Sequence, residues 1–105
     1  MEMASPLNVR RGVLIPHVGS AAQASLDAVP REIAAMTMRT LGMLAAGDAA
    51  AWRSVKQAKD MPTQVLMARL GIHHRMLFRA DEGRLEVLDV ITREGLKTAL
   101  KRLRS

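Results

Sequence analysis

Residues 64–91, QVLMARLGIHHRMLFRADEGRLEVLDVI, decide the fold of this chain. Their Val, Leu, Ile and Phe side chains favour a pleated, half-buried surface, and glycines interrupt them at turn-like intervals. The pattern predicts three strands, at about Gln64–Leu70, His74–Ala80 and Arg84–Ile91. Gly71 joins the first two strands, and residues 81–83 (Asp-Glu-Gly) join the last two. A three-residue connection ending in glycine suits a hairpin, because its last residue usually needs a positive φ.

The side chains of the second predicted strand alternate between two faces of the sheet. One face should carry His74, Met76, Phe78 and Ala80, and the other Arg75, Leu77 and Arg79. Together with Arg69, the last set places three arginines within one short hairpin. We therefore expect the sheet to present a cationic platform in addition to its core-forming face.

Length indicates one domain over residues 1–105, with residues 1–8 flexible, and its predicted helices and strands make the fold class α+β. Hydrophobic residues make up 49% of the chain, enough for a core that eight methionines would help to fill. The absence of cysteine excludes disulfides and thiolate metal sites. No apolar run is long enough to span a membrane, and the N-terminus lacks a signal-peptide pattern, so we expect a cytoplasmic protein.

The net charge of +6 is distributed unevenly. Residues 1–52 carry four basic and four acidic side chains, whereas residues 53–105 carry twelve basic and six acidic ones. A basic half is typical of proteins that bind a polyanion or an acidic protein partner. A solvated surface that keeps the protein soluble would have the same composition, and charge alone does not separate the two interpretations.

The N-terminal half predicts a short edge strand followed by a hairpin of two helices. Val9–Ile15 has strand character, and Pro16 is expected to end it. Ser20 and Gln23 have the spacing of a capping box that would begin a helix over residues 21–28. Pro30 suits the first position of a second helix, over residues 31–46, which Gly47 would end. A stripe of Ile33, Met36, Thr40 and Leu44, widened by Leu41 and Met43, should face the core.

The remaining segments flank the three strands. Residues 48–51 could extend the second helix or form a loop, and residues 52–59 fit either a strand or an irregular crossing. Trp52 is expected to anchor the junction of helix and sheet, with stacking on an RNA base as the less favoured role. Residues 93–105 predict a basic amphipathic helix with Leu96, Ala99, Leu100 and Leu103 on one face.

The order of these elements resembles the RelE/ParE toxin superfamily of bacterial type II toxin–antitoxin systems. The resemblance lies in LDAVPREI (residues 26–33), GDAAAWRSVKQAKDMP (residues 47–62) and RLGIHHRMLFRADEGRLEVLDVITRE (residues 69–94). It implies a RelE-like fold with an N-terminal helix hairpin, a small twisted antiparallel sheet of three to five strands and a C-terminal helix. It also implies a toxin that binds a cognate antitoxin protein.

In the ribosome-dependent ribonucleases of this superfamily, the 2′-hydroxyl of mRNA attacks the adjacent phosphate without a metal. The resemblance then implies catalytic roles for Arg75, Arg69 and Arg93, with His73 as a candidate proton acceptor. Guanidinium groups stabilise the negative charge that develops on the phosphoryl group. The RNA-binding cations would be Arg79, Lys56, Lys59, Lys97 and Lys101. No cofactor or metal is expected, and the ribosome and mRNA would be the other partners.

Two departures from the nuclease pattern favour a non-enzymatic alternative. The chain has no tyrosine, and its last histidine is His74, whereas many family nucleases carry a Tyr or His near the C-terminus. The strand lysines of RelE are replaced near Val65 and Met67 by apolar residues. The alternatives are a ParE-like inhibitor of DNA gyrase and a degenerate toxin that only binds its antitoxin.

The same residues also have structural interpretations. Arg75 could form an ion pair with Asp89 or Glu86 on the neighbouring strand rather than bind phosphate. A structural role also competes for Arg69 and Arg79, and a surface role near the turn is favoured for His73 and His74. If the second strand extended back to His73, that imidazole would share the face of Arg75.

Overall fold

The computed structural model describes residues 13–104, and the predicted flexible segment 1–8 lies outside them, as do residues 9–12 of the predicted first strand. The elements are β1 (Ile15–Val18), α1 (Ser20–Ala28), α2 (Arg31–Ala45), α3 (Ala49–Arg53), β2 (Lys56–Gln57), β3 (Leu66–Leu70), β4 (His74–Asp81), β5 (Arg84–Thr92) and α4 (Leu96–Arg104). This is an α+β fold. No helix in residues 13–104 is long and apolar enough to cross a membrane.

The five strands form one sheet in the order β1-β5-β4-β3-β2. The three predicted strands are confirmed as β3, β4 and β5, and they pair antiparallel with their neighbours. β1, however, pairs parallel with β5, so the sheet is mixed rather than antiparallel throughout. Between β1 and β2, the helices α1, α2 and α3 carry the chain from one edge of the sheet to the other.

The first strand differs from its prediction. β1 begins at Ile15 and continues through Pro16 to Val18, so Pro16 does not end it. A proline has no N–H to donate, and in a central strand every N–H points at a neighbouring strand. β1 lies at the edge of the sheet, with β5 as its neighbour in the described chain, so the missing N–H can be tolerated on its open side. The ladder instead begins with the Ile15 N–H, which donates to the Gly83 carbonyl at 2.8 Å.

The turn between β4 and β5 has two residues instead of three. Asp81 pairs with Arg84 and belongs to β4, which leaves Glu82 and Gly83 as the loop. Both loop residues have positive φ, +48° for Glu82 and +78° for Gly83. This is the handedness of a type I′ turn, whose twist matches that of the flanking strands. The prediction was right about Gly83 and missed the strained position of Glu82.

The predicted capping box of α1 is not formed. The helix begins at Ser20 with Gly19 as its N-cap, and no side chain caps it. Gln23 instead donates from its backbone to the Gly19 carbonyl and from its side chain to Asp27. Pro30 likewise serves as the N-cap of α2 and not as its first helical residue.

The expected helix hairpin is not confirmed, because the main packing partner of each helix is the sheet. α1 packs on β5, whereas α2 packs on β3 and also contacts α3 and β1. The helices and the sheet enclose the larger core, in which Leu44 and Phe78 are fully buried. Two of the methionines assigned to core filling point outward instead: the side chains of Met38 and Met43 are 52% and 44% exposed.

The segment after α2 forms a third helix and anchors the tryptophan. Asp48 caps α3 by accepting the Ala51 N–H at 2.9 Å, so this segment neither extends α2 nor remains a loop but begins a separate helix. The Trp52 indole donates to the Leu44 carbonyl at 2.9 Å, and its ring meets Phe78 edge-to-face with the centroids 5.9 Å apart. The anchoring role predicted for Trp52 is confirmed.

The opposite face of the sheet carries a smaller apolar cluster beneath α4. Val65, Leu77 and Ala99 are buried there. Asp89 on β5 accepts a hydrogen bond from Ser25 of α1 at 2.5 Å and lies 3.5 Å from the Arg102 guanidinium of α4. Arg102 is 65% exposed, so packing rather than this ion pair holds α4 in place.

The two-residue turn gives a stability test that depends on φ alone. A Cβ added at Gly83 would meet no atom within 4 Å, so Gly83→Ala is opposed only by its φ of +78° and should cost roughly 1–2 kcal/mol. Gly42 lies inside α2 with the same open surroundings and no positive φ, so Gly42→Ala should instead stabilise the protein by roughly 0.5–1 kcal/mol. Chemical denaturation measures the change in the free energy of unfolding for each variant. If both substitutions changed it in the same direction, the turn geometry would be contradicted.

Candidate functional site: a cationic groove

Two arginines lie directly opposite each other at the centre of the candidate site. Arg69 on β3 and Arg75 on β4 are cross-strand partners, so their side chains leave the same face of the sheet. Opposed residues in an antiparallel pair have Cβ atoms about 5 Å apart. Like charges at that spacing destabilise a sheet unless something compensates them.

Lys56 extends this cluster towards the sheet edge. It pairs with Met67, which lies two residues before Arg69 on the same face. Ser54, Lys56, Met67, Arg69 and Arg75 together line an open groove of about 380 Å³. The groove is thus a concave surface with three cations and two uncharged side chains.

The turn between β3 and β4 holds Arg75 in place. Its Nη1 donates to the His74 carbonyl at 2.8 Å and to the Ile72 carbonyl at 3.3 Å. Arg93, which follows β5, donates its backbone N–H to the His73 carbonyl at 2.7 Å. This hydrogen bond attaches the end of β5 to the turn that precedes β4. Arg93 is therefore close enough to act electrostatically on Arg75, and it is the fourth cation of the cluster.

The electrostatics of Arg75 reflect this crowding. Partial burial lowers the pKa of its guanidinium, and the positive charges of Arg69 and Arg93 lower it further. Within residues 13–104, none of the four cations Lys56, Arg69, Arg75 and Arg93 forms a salt bridge. A bound anion would relieve the repulsion among them, so the cluster is chemically suited to bind phosphate, sulfate or carboxylate groups.

The ion pairs considered for Arg75 are not formed. Asp89 faces Leu77 across the sheet and binds Ser25 and Arg102. Glu86 pairs with Arg79 in the register of β4 and β5. The neighbour of Arg75 on β5 is Ile91, so no carboxylate lies opposite it.

Arg79 does not belong to the groove, although it shares a sheet face with Arg75. Four residues along a strand correspond to about 13 Å, and Leu77 lies buried between the two arginines. Arg79 donates from Nη2 to the Thr63 hydroxyl at 3.1 Å and lines a separate small concavity with Glu86. The predicted cationic platform is therefore divided into a pair at one end and a single arginine at the other.

The other predicted RNA-binding cations also lie apart from the groove. Lys59 lines a concavity formed by the loop over residues 57–64. Lys97 and Lys101 lie on α4, where they border a third concavity together with Arg104. Lys56 alone among the predicted RNA-binding residues joins the arginine pair.

The histidines occupy different positions from those that strand alternation would give. His73 lies in the exposed turn and not in β4, so the alternation that would place it beside Arg75 does not reach it. His74 pairs with Thr92 and leaves the opposite face of the sheet from Arg75. No group of three histidine or acidic side chains in the described part of the chain is arranged to hold a metal ion.

Sequence reasoning missed Ser54, Met67 and the carbonyl groups of the turn. Ser54 carries no local signal, because it reaches the groove only through the pairing of β2 with β3. Met67 was noted as a replacement for a lysine and not as part of the groove. The carbonyls are main-chain groups, which a residue-type pattern does not reveal.

Comparisons with known proteins place this geometry on a known fold. No family model matches the chain, and a search of curated proteins found no significant match. Among solved structures, a chain of the toxin–antitoxin complex RelBE2 from Mycobacterium tuberculosis is similar, with a TM-score of 0.64 and 23% identity, covering 77% of this chain and 99% of that one. A chain of the archaeal RelE–RelB complex from Pyrococcus horikoshii has a TM-score of 0.63 and 13% identity, covering 77% and 96%.

These likenesses show that the chain has a RelE-like fold, as the resemblance in its sequence implied. At 23% and 13% identity they concern the fold and not the activity. A function for the groove therefore has to be inferred from the residues that line it.

Because the four cations form no salt bridge in the described part of the chain, we predict that small anions stabilise the folded protein. Pyrophosphate at ten times its dissociation constant should add about 1.4 kcal/mol by mass action. For a chain of this size that raises the unfolding midpoint by roughly 5–10 °C. Arg69→Gln should remove at least half of the shift, whereas Arg39→Gln should keep it, because Arg39 lies exposed on α2 across the sheet. Thermal unfolding with and without pyrophosphate makes the measurement, and equal shifts in both variants would contradict a site at the groove.

Proposed function

We propose that this protein is the toxin of a type II toxin–antitoxin system and that it acts as a ribosome-dependent endonuclease on mRNA. The observation that carries the proposal is the cross-strand pair Arg69 and Arg75, which forms no salt bridge within residues 13–104 and lies in a groove on a RelE-like fold. Such a pair is costly for the free protein and favourable once a phosphate lies between its members.

The proposed reaction needs no metal and no cofactor. The 2′-hydroxyl oxygen of a nucleotide attacks the adjacent phosphorus, and the bond from phosphorus to the 5′-oxygen of the next nucleotide breaks. The products are a 2′,3′-cyclic phosphate and a 5′-hydroxyl, and the proton lost by the nucleophile is balanced by one gained by the leaving oxygen. Extra negative charge accumulates on the phosphoryl oxygens in the transition state, where fixed guanidinium groups stabilise it.

Each cation of the cluster has a place in this scheme. Arg75 stabilises the reacting phosphoryl group, because two hydrogen bonds from Nη1 already hold it. Arg69 opposes it across the strands and binds the same phosphate from the other side. Lys56 and Arg93 bind neighbouring phosphates and orient the RNA chain.

The residues that line the groove include few groups that could transfer a proton. The groove lining offers the Ser54 hydroxyl and the Lys56 ammonium, with apolar Met67 beside them. His74 is adjacent to Arg75 in sequence, but its side chain leaves the opposite face of the sheet. His73, which lies in the turn and whose carbonyl accepts the Arg93 backbone N–H, is therefore the proposed proton acceptor. The ribosome would supply further groups when it presents the mRNA.

The proposal includes partners that cover or use the same surface. A cognate antitoxin would lay an acidic helix or extended segment over the groove and neutralise it. Arg79, Lys59, Lys97 and Lys101 would contact ribosomal RNA, and such contacts weaken steeply as salt rises. These partners imply that the protein acts in the cytoplasm.

A second candidate is a non-enzymatic inhibitor of DNA gyrase, as in the ParE branch. The observation that favours it is the scarcity of acid–base groups at the groove, since a protein that only binds needs none. A degenerate toxin that retains only antitoxin binding would have the same geometry.

Induced expression distinguishes these functions. The proposal predicts that translation stops and that mRNA is cut at codons in the ribosomal A site. Arg75→Ala should slow cleavage by about a hundredfold or more, because it removes one donor to the developing oxyanion. Arg39→Ala should cleave like the wild type, since Arg39 lies on α2 away from the groove.

Three outcomes would count against the proposal. A rise in the SOS response with intact mRNA would favour the gyrase inhibitor. Normal growth after induction, with antitoxin binding retained, would favour the degenerate toxin. Full cleavage by Arg75→Ala would show that the catalytic assignment of Arg75 is wrong.

A further inference from the structure

Three successive carbonyl groups where β3 turns into β4 hold the guanidinium of Arg75 and the backbone of Arg93. The carbonyls of Ile72 and His74 accept hydrogen bonds from Nη1 of Arg75, at 3.3 and 2.8 Å. The carbonyl between them, that of His73, accepts the backbone N–H of Arg93 at 2.7 Å. All three contacts depend on the path of the main chain and on no side chain of the turn.

The carbonyl contacts determine which edge of the Arg75 guanidinium stays available. Both hydrogen bonds use Nη1, and no hydrogen bond within residues 13–104 uses Nε or Nη2. Nε–H and one Nη2–H run parallel on the side of the guanidinium away from Cδ, and they form one of the two forks that bind phosphate oxygens bidentately. The turn thus occupies one part of the guanidinium and leaves a complete fork for an anion.

The negative ends of the Ile72 and His74 carbonyl dipoles contact the Arg75 guanidinium and so partly offset its repulsion by Arg69 and Arg93. No carboxylate forms a salt bridge with Arg69, Arg75 or Arg93 within residues 13–104, so these two carbonyls are the negative groups that contact Arg75 there. Carbonyl dipoles lower the cost of gathering cations without neutralising them. A carboxylate beside Arg75 could bind the Nε and Nη2 edge of its guanidinium, whereas the carbonyls of Ile72 and His74 bind Nη1 and leave that edge available.

The conformation of the turn depends on Gly71, and its side chains contribute little to the core. Gly71 has a φ of +67°, which residues with a Cβ adopt at a cost. Gly71, Ile72 and His73 are all exposed, and Ile72 is 63% exposed despite its apolar side chain. Packing of its own side chains therefore does not determine the form of this turn.

We propose that residues 71–74 are a positioning element of the phosphate site: their carbonyls hold the Arg75 guanidinium and the Arg93 backbone, so that the Nε and Nη2 edge of Arg75 faces the RNA phosphate. This inference rests on the proposed function for its ligand, an RNA phosphate, and on the geometry of the turn for its mechanism. Gly71 is then a positioning residue, which acts through Arg75 without touching the RNA.

The second hairpin of the sheet provides a matched control. Gly71 and Gly83 lie in the turns at the two ends of β4, with φ of +67° and +78°. A Cβ at Gly71 would meet only the Met36 side chain, at an ordinary 3.9 Å, and a Cβ at Gly83 would meet nothing within 4 Å. Gly71→Ala and Gly83→Ala should therefore lose similar stability through the backbone, while only Gly71→Ala disturbs the cations.

The first measurement is the affinity for a short oligouridylate at low salt and at a temperature where circular dichroism shows every variant folded. Gly71→Ala should bind roughly tenfold more weakly, the effect of about one charge-assisted hydrogen bond. Gly83→Ala should bind within about twofold of the wild type, because its turn contacts none of these cations. Gly71→Asn should recover most of the loss, since asparagine adopts positive φ more readily than alanine. Equal losses in Gly71→Ala and Gly83→Ala would overturn the proposal.

A double-mutant cycle tests whether Gly71 acts through Arg75. In an Arg75→Gln background, Gly71→Ala should have much less effect on affinity, because the group that it positions is already absent. If Gly71→Ala reduced the affinity by the same factor in the wild type and in Arg75→Gln, the turn would not act through Arg75, and the proposal would be overturned.

A measurement without RNA separates this inference from the proposed function. In the wild type, the NMR signals of the Arg75 guanidinium should show slow rotation about the Nε–Cζ bond, since Nη1 is held twice; in Gly71→Ala they should average. If the wild type shows this restraint and does not bind RNA, the positioning stands and the RNA ligand is wrong. If the wild-type signals are already averaged, the positioning is wrong even where RNA binds.

Discussion

The site depends on one cross-strand register, the pairing of Arg69 with Arg75. Antiparallel strands place opposed side chains on one face at close range, and two guanidinium groups in that position repel each other. The pairing is maintained by the residues that flank it, since Leu70, Met76 and Phe78 are fully buried on the other face of the same strands. A shift of the register by one residue would exchange the two faces and bury the cations, so the larger core fixes the arginines where they are.

The sheet therefore serves two purposes on its two faces. One face is fully committed to packing against the helices. The other is packed only where α4 covers Val65 and Leu77, which leaves the β3–β4 end open as the cationic groove. Arg79 lies on the same face beyond Leu77, so the apolar cluster under α4 is what separates it from Arg69 and Arg75. The repulsion that the groove retains is a property of the free protein, and an anion would relieve it.

Much of this arrangement could be predicted from local sequence. Alternation along β4 correctly placed Arg75, Leu77 and Arg79 on one face, and Gly83 correctly marked a turn. Local patterns could not show that Leu77 and α4 divide the arginines, because that contact joins residues distant in sequence. They also could not show that Pro16 continues a strand, since its tolerance there depends on β1 lying at the edge of the sheet. The carbonyls that hold Arg75 are invisible to any pattern of side chains.

The central claim is that the groove binds the phosphate backbone of single-stranded RNA between Arg69 and Arg75. A crystal structure of the protein with a short RNA oligonucleotide bound tests it most directly. The account predicts a phosphate group within hydrogen-bonding distance of both guanidinium groups, with Nε and Nη2 of Arg75 donating to it. An ordered oligonucleotide that leaves the groove empty and lies along α4 or the loop over residues 57–64 would contradict the account.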